Sequence, residues 1–291
     1  MNEFRLDFIG IGAAKAGTTW LAECLREHPQ VCMSNPKELN YFCIKHVWPP
    51  SPTFYDKGER WLRARFSHWK PGQIRGEFSV SYLIDPESPV LIKKHFPDVK
   101  IIISYRNPTD GLYSFYHELA KRYSVPSTFE DFLKEYPGFV RYGFYYSHTK
   151  RYLALFPVEN FHFILFDDIC RNPERVLVDL FEFLGVDTDY RPPSLFERVN
   201  ERKAPRYILV RNLIGNTTDF LRTHPQAKKV KRVLRLLGAH HVADWIQARN
   251  WRAANFPPMR EDTRARLLEM YTEENLLLGE LLSRDLSHWN R

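Results

Sequence analysis

A turn that contains two glycines and one lysine has the composition of an anion-binding site. Gly12 and Gly17 flank Lys15, and hydroxyl side chains follow on Thr18 and Thr19. Glycines let the backbone turn sharply and point successive N–H groups into one concavity, and the first turn of a following helix adds free N–H groups and a positive dipole. We therefore expect this turn to bind an anion such as a phosphate group.

The spacing separates this turn from the loop of nucleotide-hydrolysing proteins. That loop reads G-x-x-x-x-G-K-[ST], with the lysine directly after the second glycine and a hydroxyl for magnesium. Gly12 and Gly17 keep the glycine spacing, but Thr18 occupies the lysine position and Lys15 comes two residues before Gly17. The turn is therefore not a loop of that type. A strand-to-helix turn with an incidental surface lysine stays open as the alternative.

Other residues could bind an anion or move a proton. Arg106 follows the predicted strand at 100–105, and its guanidinium could fork onto two oxygens of an anion. Glu38 lies beside Lys37, which could hold the carboxylate ionised and ready to accept a proton. His117, on the helix after Arg106, is a rival base. Purely structural ion pairs and packing stay open for each of them.

The elements that must position these residues alternate between strands and helices. Apolar runs predict strands at 8–11, 31–33, 74–79, 100–105 and 161–166. Amphipathic spacing and capping residues predict helices at 18–26, 59–69, 89–96, 108–120, 128–136, 144–156, 173–184 and 262–282. This alternation predicts a parallel sheet covered on both faces, with ligands at the carboxyl ends of its strands. Without a convincing linker, we predict one domain over residues 1–291.

The composition is that of an ordinary globular protein, with 44% hydrophobic and 26% charged residues. The sequence has no run of eighteen apolar residues and no signal peptide, so we expect a cytoplasmic protein without a membrane span. The four cysteines lie far apart and lack metal-binding spacing, which makes a zinc site or a disulfide framework unexpected.

The net charge of +7 is concentrated in residues 198–235, which carry eleven Lys and Arg residues against two acidic ones. Such a basic segment attracts polyanions such as an acidic glycan, a nucleic acid or a multiply phosphorylated cofactor. A solvated helix face without a specific partner is the alternative for its second half.

Several segments resemble motifs of sulfotransferases that use 3′-phosphoadenylyl sulfate (PAPS). The run KAGTTW at 15–20 resembles their 5′-phosphosulfate-binding loop, and RNP at 106–108 followed by Ser114 resembles their 3′-phosphate-binding motif. The segments KELNYF at 37–42 and GEFSVSY at 76–82 are similar to K-E-x-x-[FY]-F and G-E-x-[ST]-x-x-Y in the heparan sulfate branch and its bacterial relatives. The likeness covers nearly the whole chain.

The resemblance implies a P-loop-like α/β fold of three layers, in which helices flank a central, mostly parallel sheet. It implies transfer of the sulfuryl group of PAPS to a hydroxyl of a carbohydrate or small-metabolite acceptor by in-line displacement, with release of 3′-phosphoadenosine 5′-phosphate (PAP) and without a metal. The cofactor loops would lie within 8–26, 104–115 and 196–206, before a C-terminal helical part at about 207–291. The cofactor-binding residues that it implies are Lys15, Ala16, Gly17, Thr18, Thr19, Trp20, Arg106, Ser114, Arg202, Lys203 and Arg206.

The resemblance also implies chemical roles. Glu38 matches the proposed general base of the heparan sulfate branch, and Lys15 would neutralise the leaving phosphate. The residues that could line the acceptor site, or else fill the core, are Tyr41, Phe42 and Tyr82. The chain has Asn40 where the 3-O-sulfotransferases have a histidine and Phe78 where several members have a lysine. The role of that histidine therefore does not carry over to this chain, and the missing lysine points to a different acceptor.

Two other functions stay open. The first is a P-loop kinase for a small hydroxylated substrate, although the misplaced lysine and the lack of a magnesium-binding acidic motif argue against it. The second is a non-catalytic polyanion-binding module built on residues 198–235. No nucleic-acid partner is expected, and the sequence leaves the acceptor and the oligomeric state undefined.

Overall fold

The central sheet of the computed structural model has five parallel strands. They are β1 (Phe8–Gly12), β2 (Val31–Met33), β3 (Ile74–Phe78), β4 (Lys100–Tyr105) and β5 (Phe161–Leu165). Their order across the sheet is β2-β3-β1-β4-β5. The structure describes residues 4–44, 53–123, 125–196 and 257–291, together with the backbone of 203–205 and 251–253. The predicted α/β fold with a parallel sheet is confirmed.

Helices follow the strands in the predicted alternation. They are α1 (Thr18–Glu27), α2 (Gly58–Arg63), α3 (Ser88–His95), α4 (Pro108–Arg122), α5 (Phe129–Glu135), α6 (Tyr145–Leu153), α7 (Phe166–Arg171), α8 (Pro173–Leu184) and α9 (Glu261–Leu282). The prediction of one helix over 59–69 was wrong, because α2 ends at Arg63 and a 3₁₀ turn at Ala64–Phe66 follows. This turn brings the ring of Phe66 to 5.7 Å from that of Phe4, which buries Phe66 without a continuous helix.

Both faces of the sheet are buried. Ile9, Ile101 and Ile103 belong to one hydrophobic cluster, whereas Phe8 and Ile102 belong to another, because successive strand residues point to opposite faces. Side chains of α6 and α9 extend the first cluster, and those of α1 and α8 extend the second. Each such side chain contributes roughly 1.5–3 kcal/mol when it is fully buried. The sheet is therefore the middle of three layers.

The chain divides into two compact units. The first comprises Met1–Ala120, Ser124–Val199 and Met259–Arg291, and it contains the five-stranded sheet. The second comprises Lys121–Tyr123 and Asn200–Pro258. Within the second, the described backbone forms an antiparallel pair of β6 (Lys203–Pro205) and β7 (Trp251–Ala253). Most of the basic segment and of the C-terminal part predicted to be helical lies outside the described residues, and the single domain stays a prediction.

No helix in the described ranges is both long enough and apolar enough to cross a lipid bilayer.

Candidate active site

The carboxyl ends of the parallel strands bring the predicted functional loops to one edge of the sheet. Gly10 of β1 pairs with Phe78, the last residue of β3, and Gly12, the last residue of β1, pairs with Ile103 of β4, so neighbouring strands end within two residues of each other. The loop after β3 is tied directly to β1, because Ser79 N donates to the carbonyl of Gly10 at 2.9 Å. This edge is where ligands of open α/β sheets bind.

The turn between β1 and α1 presents a helix N-terminus without a side-chain cap. Gly17 precedes the first residue of α1 with φ +83°, and Lys15 in the turn has φ +65°. Ser104 of β4 secures the turn at two points, because its carbonyl accepts from Ala13 N at 2.7 Å and its hydroxyl donates to the carbonyl of Ala16 at 2.5 Å. The first N–H groups of α1 are consequently held in place for an anion.

Replacing Gly17 with alanine is expected to lower both stability and anion binding. A Cβ there would lie 2.8 Å from Cδ1 of Ile169, and the positive φ disfavours any side chain. We expect a loss of about 1–3 kcal/mol in unfolding free energy and weaker PAP binding. Urea denaturation and calorimetry measure these effects. Gly138→Ala is the matched control, because Gly138 has open space around the position of a Cβ; equal losses in both variants would contradict the assignment.

Arg106 lies directly against the Lys15 turn. Its Nη1 donates to the carbonyl of Lys15 at 3.2 Å, and its guanidinium carbon lies 4.7 Å from the centre of the Phe166 ring. Neighbouring Asn107 donates through Nδ2 to the carbonyl of Trp289 at 3.2 Å and accepts from Thr109 N at 3.0 Å. The Arg106 turn is therefore fixed by the C-terminal segment and by the first turn of α4, and further N–H donors of the guanidinium are available to an anion.

Helix α4 adds a residue to this site that the sequence analysis missed. Glu118 Oε2 lies 3.6 Å from Lys15 Nζ, and both side chains are about a quarter exposed. Ser114 precedes Glu118 by one helical turn, which places the two on the same face of α4. The i,i+4 spacing from Ser114 is the signal in the sequence that could have identified Glu118.

The start of α1 also contacts the segment that leads into the predicted basic loop. Trp20 Nε1 donates to the carbonyl of Ser194 at 3.1 Å, and the Trp20 side chain is buried. Thr18 is buried and Thr19 is half-buried. Arg202 and Arg206 lie outside the described residues, as does the side chain of Lys203, so their contacts with a cofactor stay predictions.

The Glu38 turn carries a carboxylate that is held at both oxygens. Oε2 accepts from Val80 N at 3.0 Å, and Oε1 forms an ion pair with Lys37 Nζ. The backbone has φ +62° at Glu38 and φ +49° at Asn40, a conformation that is uncommon for residues other than glycine. About a third of the Glu38 side chain stays exposed. The carboxylate is thus oriented, paired with a positive charge and open to a ligand.

A second carboxyl group lies beneath this turn. Glu77 is completely buried, and its Oε2 accepts from the hydroxyl of Ser79 at 2.8 Å. Burial raises the pKa of Glu77 to about 7, although hydrogen bonding to Tyr82 and Ser79 opposes the rise. Negatively charged Glu38 adds to the rise and Lys37 opposes it. Glu77 therefore changes its charge near neutral pH inside the protein.

The raised pKa of Glu77 predicts a specific pH dependence of stability. A carboxyl group whose pKa rises from 4.5 to about 7 on folding stabilises the folded state fully below pH 4.5, and this stabilisation is lost as the pH rises through about 7. The loss amounts to ~3 kcal/mol. Denaturation between pH 5 and pH 8 should show this fall in the unfolding free energy of the native protein, and no such fall for Glu77→Gln. Parallel pH profiles for the two proteins would contradict the assignment.

The three predicted acceptor-lining residues are core residues in the structure. Tyr41, Phe42 and Tyr82 are each at most 2% exposed. Tyr41 stacks on Trp61 with 6.0 Å between ring centroids, and the Tyr82 hydroxyl accepts from Phe42 N at 3.3 Å. They fill the core, which is the alternative that the sequence left open, and their contact with an acceptor stays a prediction. They also give the Glu38 turn a rigid base.

The rival base also lies in a packed environment. The imidazole of His117 is 9% exposed, and its centroid lies 4.2 Å from that of the Tyr113 ring and 5.5 Å from that of Tyr116. These rings continue into a cluster with Phe129 of α5. Glu38 is the more exposed of the two predicted bases, and a catalytic role for either stays a prediction.

The chain matches the model of the sulfotransferase domain family over residues 5–207 and therefore belongs to this family. Two human relatives are heparan sulfate glucosamine 3-O-sulfotransferases. The chain is 32% identical to number 5 over 222 residues, which is 71% of this chain and 60% of the relative. It is 31% identical to number 3B1 over 186 residues, which is 60% of this chain and 45% of the relative. The chain spans about half the length of the curated relatives that it matches.

A solved structure has the same fold. The sulfotransferase from Alicyclobacillus acidocaldarius matches with a TM-score of 0.69 and 24% sequence identity, over 99% of this chain and 100% of that one. This likeness supports the fold alone. Together, the family match and the solved structure confirm the predicted family and the predicted P-loop-like α/β fold.

Proposed function

We propose that this chain transfers the sulfuryl group of PAPS to a hydroxyl group and releases PAP. The observation that carries the proposal is the contact of Arg106 with the Lys15 turn at the N-terminus of α1. A guanidinium, an ammonium and uncapped backbone N–H groups converge there, at the ligand-binding edge of a sulfotransferase-family sheet. PAPS has two anionic groups, a 5′-phosphosulfate and a 3′-phosphate, which match this set of donors.

The proposed division of work follows from where each donor lies. The N–H groups of Gly17, Thr18 and Thr19 bind the 5′-phosphosulfate, and Lys15 balances charge that develops on the leaving phosphate. Arg106 and Ser114 bind the 3′-phosphate by charge-assisted and neutral hydrogen bonds. Ala16 and Trp20 shape the turn, while Arg202, Lys203 and Arg206 stay predicted cofactor contacts. No metal ion takes part in this proposal.

Glu38 is the proposed general base. The attacking hydroxyl must lose a proton as its oxygen bonds to sulfur, and an ionised carboxylate within reach can take it. The Val80 N–H and the Lys37 ammonium hold this carboxylate in place, and the left-handed turn presents it at the ligand-binding edge. His117 stays the second candidate for this role.

We propose a carbohydrate acceptor, with a small hydroxylated metabolite as the alternative. The support is the similarity to relatives that are named heparan sulfate glucosamine 3-O-sulfotransferases. Asn40 and Phe78 stand where the resemblance implied a histidine and a lysine, so the acceptor need not be the one that those names give. The cytoplasmic location stays a prediction.

Transfer of label from ³⁵S-labelled PAPS tests the proposal. The protein is incubated without magnesium, with N-sulfated heparosan as a carbohydrate acceptor and p-nitrophenol as a small one. We expect PAP to form in equimolar amount with a sulfated product, preferentially the glycan. A parallel incubation contains ATP and magnesium in place of PAPS, and magnesium-dependent turnover of ATP there would support the kinase instead. Heparin binding without PAPS turnover, unchanged in Lys15→Ala and Glu38→Ala, would support the polyanion-binding module.

A further inference from the structure

A buried hydrogen-bond chain connects the interior of the protein to the Glu38 turn. Glu77 and Ser79 are both completely buried, and the Ser79 hydroxyl donates to Glu77 Oε2 at 2.8 Å. The same hydroxyl oxygen accepts from the backbone N–H of Asn40 at 3.0 Å. Asn40 lies two residues after Glu38, in the turn with positive φ. These hydrogen bonds thus connect a buried carboxyl group to the backbone of the turn that contains the proposed base.

The direction of these hydrogen bonds depends on Glu77. A serine hydroxyl has one hydrogen to donate and two lone pairs with which to accept. Because Glu77 Oε2 takes the hydrogen, a lone pair of Ser79 Oγ is directed to the Asn40 N–H. Without that acceptor the hydroxyl could rotate and donate elsewhere, and the Asn40 N–H would lose a defined partner. A buried N–H group without a partner is costly, so the turn would rearrange.

The rest of the turn is attached to the same short segment. Glu38 N donates to the carbonyl of Phe78 at 2.9 Å, and Val80 N donates to Glu38 Oε2 at 3.0 Å. Residues 78, 79 and 80 therefore each hold one point of the Glu38 turn. Phe78 and Val80 contribute backbone groups to these attachments, whereas Ser79 contributes its side chain, which is the group that Glu77 orients.

We propose that Glu77 is a positioning residue that, through Ser79, holds Asn40 and thereby the left-handed turn that aims the Glu38 carboxylate. Glu77 is fully buried, so it reaches neither PAPS nor the acceptor and acts on the reaction through Glu38 alone. This inference rests on the proposed role of Glu38 as the base. Removing the hydrogen bonds from Glu77 through Ser79 to Asn40 should lower turnover while binding of PAP at the Lys15 turn is preserved.

The test combines side-chain variants with two measurements. Glu77→Met replaces the carboxyl group by an apolar side chain of similar length, and Ser79→Ala removes the hydroxyl. We expect each variant to lower sulfuryl transfer from PAPS to N-sulfated heparosan by about tenfold, and to lower the slow hydrolysis of PAPS by water by the same factor. The Kd for PAP should be unchanged. Hydrogen exchange of the Asn40 amide should accelerate by a similar factor. Glu77→Gln and Ser79→Thr retain an acceptor and a hydroxyl and should restore most of the turnover.

Asp85→Leu, which replaces the carboxylate by an apolar side chain of the same shape, is the matched control for Glu77→Met. Asp85 is a second buried carboxylate beside a serine, because Ser88 Oγ lies 2.7 Å from Asp85 Oδ2 and 3.0 Å from the carbonyl oxygen of Phe42, and its one hydrogen is shared between these two acceptors. It anchors the far end of the same loop and not the Glu38 turn. Its loss should reduce stability as much as the loss of Glu77, without the same fall in turnover at temperatures where both variants are folded. An equal fall in turnover would overturn the proposal.

Variants in a Glu38→Gln background separate positioning from general destabilisation. If Glu77 acts through Glu38, Glu77→Met should cause no further loss of turnover once Glu38 is replaced. A further tenfold loss, or unchanged Asn40 exchange in Glu77→Met, would overturn the inference. Failure of the proposed function would give a different result. In that case the native protein would not bind PAP, or Glu38→Gln alone would keep full turnover.

Discussion

Replacing Glu38 with glutamine is expected to lower the turnover number for sulfuryl transfer by about 10²–10⁴-fold. The amide has the same shape and can still accept the hydrogen bond from Val80 N through its oxygen, but it cannot take a proton from the attacking hydroxyl. Binding of PAP should be unchanged, because Glu38 lies in the turn after β2 and not in the Lys15 turn. Steady-state kinetics with PAPS and calorimetry with PAP measure the two quantities.

Glu59→Gln provides the control for this change. Glu59 is an exposed carboxylate on α2, where its Oε1 lies 3.7 Å from Arg63 Nη1. Its replacement should leave turnover within a factor of two. A Glu38→Gln protein that kept native turnover would exclude Glu38 as the base, and His117 would then be the residue to replace.

Replacing Lys15 with methionine is expected to lower turnover by about 10²–10³-fold. Methionine keeps the length and the apolar part of the side chain but removes the ammonium that balances charge on the leaving phosphate. It also removes the cation that lies 3.6 Å from Glu118 Oε2. Binding of PAP should weaken less than turnover, because the backbone N–H groups at the start of α1 stay in place.

Lys93→Met is the control for loss of a lysine. Lys93 is on α3, where its Nζ donates to the carbonyl of Pro97 at 3.0 Å and lies 4.9 Å from the centre of the Phe156 ring. This change should leave the kinetics unaffected. If Lys15→Met weakened PAP binding and lowered turnover by the same factor, Lys15 would contribute to binding of the cofactor and not specifically to the transition state.

The parts of the site that depend on local sequence could be predicted. The strand, glycine turn and helix at 8–26 follow from short-range patterns, since the apolar run, the glycines and the helix period all occur within twenty residues. The position of Arg106 follows in the same way, because an apolar strand precedes it and Pro108 opens the next helix. The parallel order then brings both turns to one edge of the sheet, where Arg106 contacts Lys15.

The contacts that depend on distant packing could not be predicted. Nothing in the sequence around Phe166 indicates that its ring lies over Arg106, because this contact requires β5 to follow β4 in the sheet. The aromatic side chain of Tyr41 suits a binding site as well as a core. Only its stacking on Trp61, twenty residues away, decides for the core. The link from Glu77 through Ser79 to Asn40 likewise joins two loops far apart in the sequence.

The central claim is that Arg106 and the Lys15 turn recognise a nucleotide with a 3′-phosphate. Calorimetric titration with PAP and with 5′-AMP, without magnesium, tests it most directly. The native protein should prefer PAP by about 10²-fold, Arg106→Ala should lose this preference, and Arg175→Ala on the surface of α8 should keep it. Equal affinity of the native protein for PAP and 5′-AMP, or tighter binding of ATP with magnesium, would contradict the account.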